Sequence, residues 1–146
     1  MFGDFPFRLT NYYDSALIGE LISQDIKVVE SEVVAIARNK EGRIIWLKQG
    51  TVRRGLNHIL AGHGEDGAPN RRFSTYFGVS DDPETIGNFI FNSIARYPPH
   101  LVVPRAGELS KLYIHQIRRN SEINYLKILV DDEGEIITAF PDRNEN

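Results

Sequence analysis

Two imidazoles sit within one short stretch, Gly55-Leu56-Asn57-His58-Ile59-Leu60-Ala61-Gly62-His63, of a sequence with four histidines altogether. Neutral imidazole takes a proton and imidazolium gives one near pH 7, so a close pair can supply general acid–base chemistry. Histidines are also common as plain helix-end residues. The charge pattern favours the chemical reading: acids dominate early (Asp14, Glu20, Asp25, Glu30, Glu32), whereas Arg38, Lys40, Arg43, Lys48, Arg53, Arg54, Arg71 and Arg72 gather around the histidines. The formal net charge of −3 argues against coating long nucleic acid by charge alone, yet an acidic chain can present a basic cleft. Solvated surface faces would give the same charges, so the coincidence with the histidines is what counts.

The elements that must position these groups follow from periodicity. Ser15 to Ser23 carries Ala16, Leu17, Leu21 and Ile22 at helical spacing, with Asp14 or Ser15 placed to cap it. Val28 to Arg38 is rich in Val and Ile, and Asn39-Lys40-Glu41-Gly42 turns it into Arg43-Ile44-Ile45-Trp46-Leu47, a hairpin. From Val52 the pattern Leu56, Ile59, Leu60 predicts a helix stopped by Gly62 and Gly64 with positive φ. Positions five apart on a continuous helix lie about 140° apart, so the two histidines converge only if Gly62 breaks it. Residues 64 to 81 read as a long mobile loop. Asp81-Asp82-Pro83-Glu84 caps a helix to Arg96 with Ile86, Phe89, Ile90 and Ile94 on one side, ended by Tyr97-Pro98-Pro99.

The last third is strand-like: Lys111 to Arg118, Ile123 to Val130 and Glu135 to Phe140, joined by turns at Asn120-Ser121-Glu122 and Asp131 to Gly134. The fold class is therefore α+β, with N-terminal helices packed on a C-terminal antiparallel meander of three or more strands. Asp142 to Asn146 reads as a frayed tail. The 146 residues suit one compact unit. Within it, 1–34 forms an N-terminal extension with a short helix and 35–146 the main domain.

Several classes of function are disfavoured. There is no cysteine, which removes thiol catalysis and thiolate metal sites. His58 and His63 lack the i, i+4 spacing of a metal-binding helix, and Asp131-Asp132-Glu133-Gly134 lacks the ligand spacing of a calcium loop. No cofactor or metal is called for. The start MFGDFPFRLTNYY lacks the basic flank and long apolar run of a secretion signal, and no apolar run reaches the roughly 20 residues that span a bilayer.

The segment Ile45-Trp46-Leu47 ahead of a Gly-Leu-x-His-Ile helix ending in His, together with a last strand reading Ile137-Thr138-Ala139-Phe140-Pro141, resembles the barnase, EndoU, colicin-type tRNase and RelE superfamily of small ribonucleases. The likeness covers roughly residues 35 to 141 and is nearest to forms found as toxin domains of bacterial polymorphic and contact-dependent inhibition systems. It implies a barnase/RelE-like fold and a toxin delivered from a cell surface or by secretion as part of a larger protein. Such a toxin acts on RNA, with tRNA as one candidate target, in the target-cell cytoplasm and is neutralised by a cognate immunity protein. By position it points to His63 or His58, to Thr138, and to one or more of Tyr113, His115 and Arg118.

RNA cleavage asks for these types independently. When the 2′-hydroxyl attacks the adjacent phosphorus, the enzyme supplies a base, an acid for the leaving 5′-oxygen, and charge or hydrogen bonds for the phosphorane. One histidine as base, another as acid, Arg118 on phosphate and Thr138 as hydrogen-bond donor suffice without metal. Strand parity puts Tyr113 and His115 on one face and Arg118 on the other, which favours Tyr113 with His115. Leu126, Ile128 and Val130 read as core, so Tyr125 and Lys127 face outward and Lys127 is a reserve phosphate ligand. Ile136, Thr138 and Phe140 share a face. In the loop, Tyr76 or Phe77 could stack on a base and Arg71 or Arg72 hold phosphate. Tyrosines on strands are ordinary packing partners, and threonine suits strands in any case. The alternative from another class is a non-catalytic protein-binding domain, such as an immunity or inhibitor protein.

Overall fold

A computed structural model describes residues 7–105 and 109–146. The N-terminal half holds α1 (Ser15–Ser23), the strands β1 (Val33–Arg38) and β2 (Ile44–Lys48), and α2 (Leu56–His63). The short α3 (Phe73–Phe77) and the long α4 (Pro83–Arg96) follow. The chain then runs through β3 (Leu101–Pro104), β4 (Lys111–Arg119), β5 (Glu122–Val130) and β6 (Ile136–Asp142), an antiparallel sheet in chain order. The architecture is α+β, with helices ahead of a four-stranded meander. Among the described residues no helix is long and apolar enough to cross a membrane.

Local chemistry sets the boundaries. Asp14 accepts from the Ala16 N–H to start α1, and Asp82 accepts from Thr85 N–H to start α4, whose first residue is Pro83. The β1–β2 turn is held by the Asn39 carboxamide, which accepts from the N–H groups of Glu41 and Arg43, with Gly42 at φ +88°. Ile86, Ile90 and Phe91 of α4 are fully buried, each contributing about 1.5–3 kcal/mol of apolar transfer.

The poor alternation of β1 has a physical cause: both of its faces are covered. Val34 and Ala35, with Ile45 and Leu47 of β2, join the main core under α4, together with Leu126, Ile128 and Val130 of β5. Val33, Ile36, Ile44 and Trp46 face Ile18 and Leu21 of α1 in a second cluster. A strand buried on both sides reads as a continuous apolar run. A division after residue 34 would cut β1, and Leu9 belongs to the main core, so the N-terminal segment is built into the same body.

The hairpin and the meander also meet. The Trp46 N–H donates to the Gly134 carbonyl at 3.0 Å, and Trp46 forms a parallel bridge with Glu135, which sets β2 beside the start of β6. Gly134 adopts φ +102°, and a Cβ there would lie 2.4 Å from the Ile44 carbonyl oxygen, so the crossing point accepts glycine alone. Lys48 and Arg54 close the join by pairing with Glu135, and Arg54 also pairs with Asp131.

The meander of three or more strands has four: β3, Leu101–Pro104, adds a strand too short to show a period. Three expectations need correction. The 64–81 stretch is an ordered segment containing α3 and a 3-10 turn at Pro69–Arg71, anchored by the fully buried Phe73. The tail is tied down: Asp142 accepts from Lys127 and from Asn144 N–H, and Glu145 pairs with His100 at 3.1 Å. A register shift between Leu129 and Val130 breaks the parity of β6. Ile136 therefore enters the core beside Ala139, while Thr138 and Phe140 point to the other face.

Candidate active site at the α2–β6 junction

The start of α2 is fixed by backbone chemistry. Gly55, at φ +90°, donates its N–H to the Ile137 carbonyl at 3.0 Å, pinning the helix one residue short of Thr138. A Cβ at Gly55 would lie 2.8 Å from the Lys48 carbonyl oxygen. The Asn57 side chain accepts from Gln49 Nε2 at 2.6 Å and donates to the Gly50 carbonyl at 3.0 Å. Gln49-Gly50 and the first turn of α2 thus form one hydrogen-bonded unit.

Both imidazoles are held in one tautomer. His58 Nδ1 lies 2.8 Å from the Val52 carbonyl and His63 Nδ1 lies 2.7 Å from the Arg71 carbonyl. A carbonyl oxygen only accepts, so each Nδ1 is the donor and each Nε2 carries the lone pair of the neutral ring. Burial of His63 is the main cause that pushes its pKa below the ordinary histidine value. The Arg71 carbonyl opposes that shift, and the charges of Arg71 and His58 reinforce it. His63 is therefore neutral at pH 7 with Nε2 unprotonated, and the two imidazoles sense each other.

Gly62 does not break the helix. α2 continues through it to His63, and the capping residue Gly64 is extended, with φ −98°, instead of left-handed. His58 leans back on the 51–54 turn and His63 leans forward on the Arg71 turn. His63 also stacks on Phe140, centroids 6.0 Å apart with ring planes at 28°. This stacking joins it to the face of β6 that carries Thr138. The Thr138 hydroxyl is half-buried and makes no hydrogen bond among the described residues.

The Arg71 carbonyl is positioned by the ordered loop. Arg72 donates from Nε to the Gly67 carbonyl at 3.0 Å and from Nη2 to the Glu65 carbonyl at 2.9 Å. Asp81 accepts from both the N–H and the hydroxyl of Ser74. Tyr76 donates to the Asn70 carbonyl, and the Arg143 guanidinium lies 5.2 Å above its ring. The Arg72 guanidinium is thus occupied within the loop, whereas Arg71 is exposed beside His63. Phe77 is buried in the core and Tyr76 is half-buried.

Register divides the remaining candidates between the two faces of the sheet. Ile114, Lys127 and Phe140 lie opposite one another across β4, β5 and β6, and Thr138 shares their face. His115, Leu126 and Pro141 form the neighbouring row, whose side chains point the other way, toward the main core. Tyr113 and His115 are therefore brought together with each other and separated from Thr138 and His63. The Tyr113 hydroxyl accepts from Arg43 Nη1 at 3.2 Å. His115 is 5% exposed among Ile94, Ile128 and Val130, and this desolvation lowers its pKa to about 4.

Lys127 does not face solvent. It is 4% exposed, and its ammonium donates to Asp142 Oδ2 at 2.9 Å. Burial alone would raise the Asp142 pKa. The hydrogen bond from Asn144 N–H, that from Lys127 and the ammonium charge together hold it below the usual carboxylate value. Arg118 lies in a groove beside α4, where His115 also reaches; β3 stops short there, so the free edge lets both share one recess despite their opposite parity. The Arg71 carbonyl, the Phe140 ring and Asp142 are the contributors that residue-type reasoning missed. A backbone acceptor leaves no trace in the sequence, although Phe140, two residues from Thr138, was within reach of strand parity.

No protein-family model matches the chain, and no curated protein matches it.

Proposed function

We propose that this chain is a metal-independent endoribonuclease domain, with His63 as general base and its Nε2 as the reacting atom. The observation that carries this reading is the arrangement of His63. Its Nδ1 is tied to a carbonyl, its ring is stacked on Phe140, and its pKa is depressed so that the lone pair is free at neutral pH. A ring so held is prepared to take a proton and costs little reorganisation on doing so.

In the proposed reaction Nε2 of His63 removes the proton from a ribose 2′-hydroxyl, whose oxygen attacks the adjacent phosphorus. The bond to the 5′-oxygen breaks, and that oxygen takes its proton from water, because on the unbroken α2 His58 is turned toward the Val52 carbonyl and away from His63. The products are a 2′,3′-cyclic phosphate and a 5′-hydroxyl. The Thr138 hydroxyl and the Arg71 guanidinium hold the phosphorane oxygens. On the far face of the sheet, Tyr113 and His115 serve packing, and Lys127 tunes the face that bears Thr138 through its pair with Asp142. The likeness of sequence to toxin domains extends the proposal to an antibacterial toxin, delivered within a larger protein, acting in a target-cell cytoplasm and checked by a cognate immunity protein.

The test is incubation of the purified chain with total cellular RNA and a chelator, beside His58→Ala and His63→Ala variants whose folding is confirmed by circular dichroism. Discrete cleavage leaving cyclic phosphate ends, abolished in folded His63→Ala, supports the reading. A folded wild-type chain that cleaves nothing, with or without divalent metal, returns the chain to the class of protein-binding domains.

A further inference from the structure

The β3–β4 ladder ends early. Leu101 pairs with Ile114, and the His100 N–H donates to the Ile114 carbonyl at 2.8 Å. Pro99 and Pro98 come next in that direction and have no N–H to extend the ladder. β4 continues through Arg119, paired on its other side with β5. Backbone groups alternate sides along a strand. Because the Ile114 carbonyl points toward β3, the N–H and C=O groups of Gln116 and Arg118 point to the same, vacated side. No bond to them from that side is made among the described residues.

A groove of about 700 Å³ runs along this edge, walled by α4 through Asn92 and Arg96 and by the exposed Tyr97. Although the chain has 20 acidic residues and a net charge of −3, among the described residues no acidic side chain lines the groove itself, Glu145 reaching only His100. Arg96 and Arg118 do, with His100 at one end in its pair with Glu145. A cationic recess beside unpaired strand donors and acceptors suits an occupant that brings both a backbone and carboxylates.

We propose that the 115–119 edge of β4 is the docking surface for an extended acidic segment of a protein partner, which adds to the sheet as a further strand. Its backbone pairs with Gln116 and Arg118, and its Asp or Glu side chains meet Arg96 and Arg118. A second copy of this chain is disfavoured as occupant, because antiparallel pairing of two such edges sets the arginines against each other. A single nucleic acid strand would satisfy the guanidinium groups but leave the strand groups without partners. Free edges in folded proteins are ordinarily blunted or covered; the 115–119 stretch has no proline and no bulge against β5, and the charge of Arg118 repels like edges while leaving this one open to an acidic strand.

The probe is a synthetic peptide of alternating Glu and Val, added to isotopically labelled full-length chain while amide hydrogen exchange is read residue by residue. Saturating peptide is expected to slow exchange at Gln116 and Arg118 about tenfold or more, as pairing into a ladder does. The same peptide methylated at alternate backbone nitrogens should give no protection. Arg118→Glu, an exposed substitution, should weaken binding about tenfold and remove its salt dependence. A 2′-O-methyl oligoribonucleotide, which cannot be cleaved, forms the nucleic acid arm. Unchanged exchange at both amides under saturating peptide overturns the proposal, as does equal protection by the methylated peptide. So does protection by the oligonucleotide alone. None of these readouts depends on catalysis, so this surface stands or falls separately from the ribonuclease reading.

Discussion

His115 makes the sharpest energetic prediction. Its imidazole is 5% exposed on the core side of β4 among apolar neighbours, and burial alone lowers its pKa to about 4. In the unfolded chain the same ring titrates near the ordinary value of about 6.5. Between those values the unfolded state holds a proton that the folded state refuses, so stability falls as pH drops. The contribution is fully present above pH 7, declines from about 6.5 downward and is lost by about 4. At about 1.4 kcal/mol per pKa unit the total is about 3 kcal/mol. The assay is urea unfolding at several pH values from 7.5 to 4, followed by fluorescence of the single tryptophan, Trp46, which is 2% exposed. The comparison is with His115→Leu, which cannot titrate and keeps roughly the same volume. Carboxylates and His63 contribute equally to both curves and cancel in the difference. The wild type should lose about 3 kcal/mol relative to the variant across the window. Parallel curves, agreeing within about 0.5 kcal/mol, would refute the assignment of a neutral, desolvated His115.

Three further outcomes follow from the structure. If His63 is the base, the acid limb of the pH–kcat/KM profile should have its midpoint below about 6.5, and breaking the loop with Arg72→Ala should move it. Asp142→Asn should destabilise the fold by about 2 kcal/mol in denaturant titration. That is less than the roughly 3–5 kcal/mol of a fully buried pair, because the Asp142 side chain is 31% exposed. Asp82→Ala removes the cap of α4 and should cost about 1 kcal/mol in the same titration, with Asp82→Asn costing markedly less.

The parts of the fold legible in the sequence are those with a local physical cause. The Asp82-Pro83 cap and the repeat of Ile86, Ile90 and Ile94 placed α4 correctly, and the Asn39–Gly42 turn placed the β1–β2 hairpin. What escaped were features set by distant neighbours. α3 owes its place to the pocket that receives Phe73, not to a helical period of its own. Gly62 stays helical, and the chain leaves α2 only at the extended Gly64, whose N–H still bonds the Leu60 carbonyl. The burial of Lys127 depends on an aspartate fifteen positions onward that looked like tail. In the site, the histidines announced themselves by type, but the tautomer of His63 is set by the Arg71 carbonyl, which any residue there could present.

The join between Trp46 and Gly134–Glu135 bears on how the chain can be threaded. β6, the last of these strands, lies between the β1–β2 hairpin and β5, so of the elements of this fold the one synthesised last is the one that closes the sheet. Until it arrives, β2 and β5 both present bare apolar flanks, and a partial chain resembles an arch awaiting its keystone. The same geometry runs in reverse. A machine that pulls on the chain from the C-terminal side of β6 would extract β6 first, removing the backbone join between hairpin and meander and leaving the shared core under α4 to resist the passage of the rest.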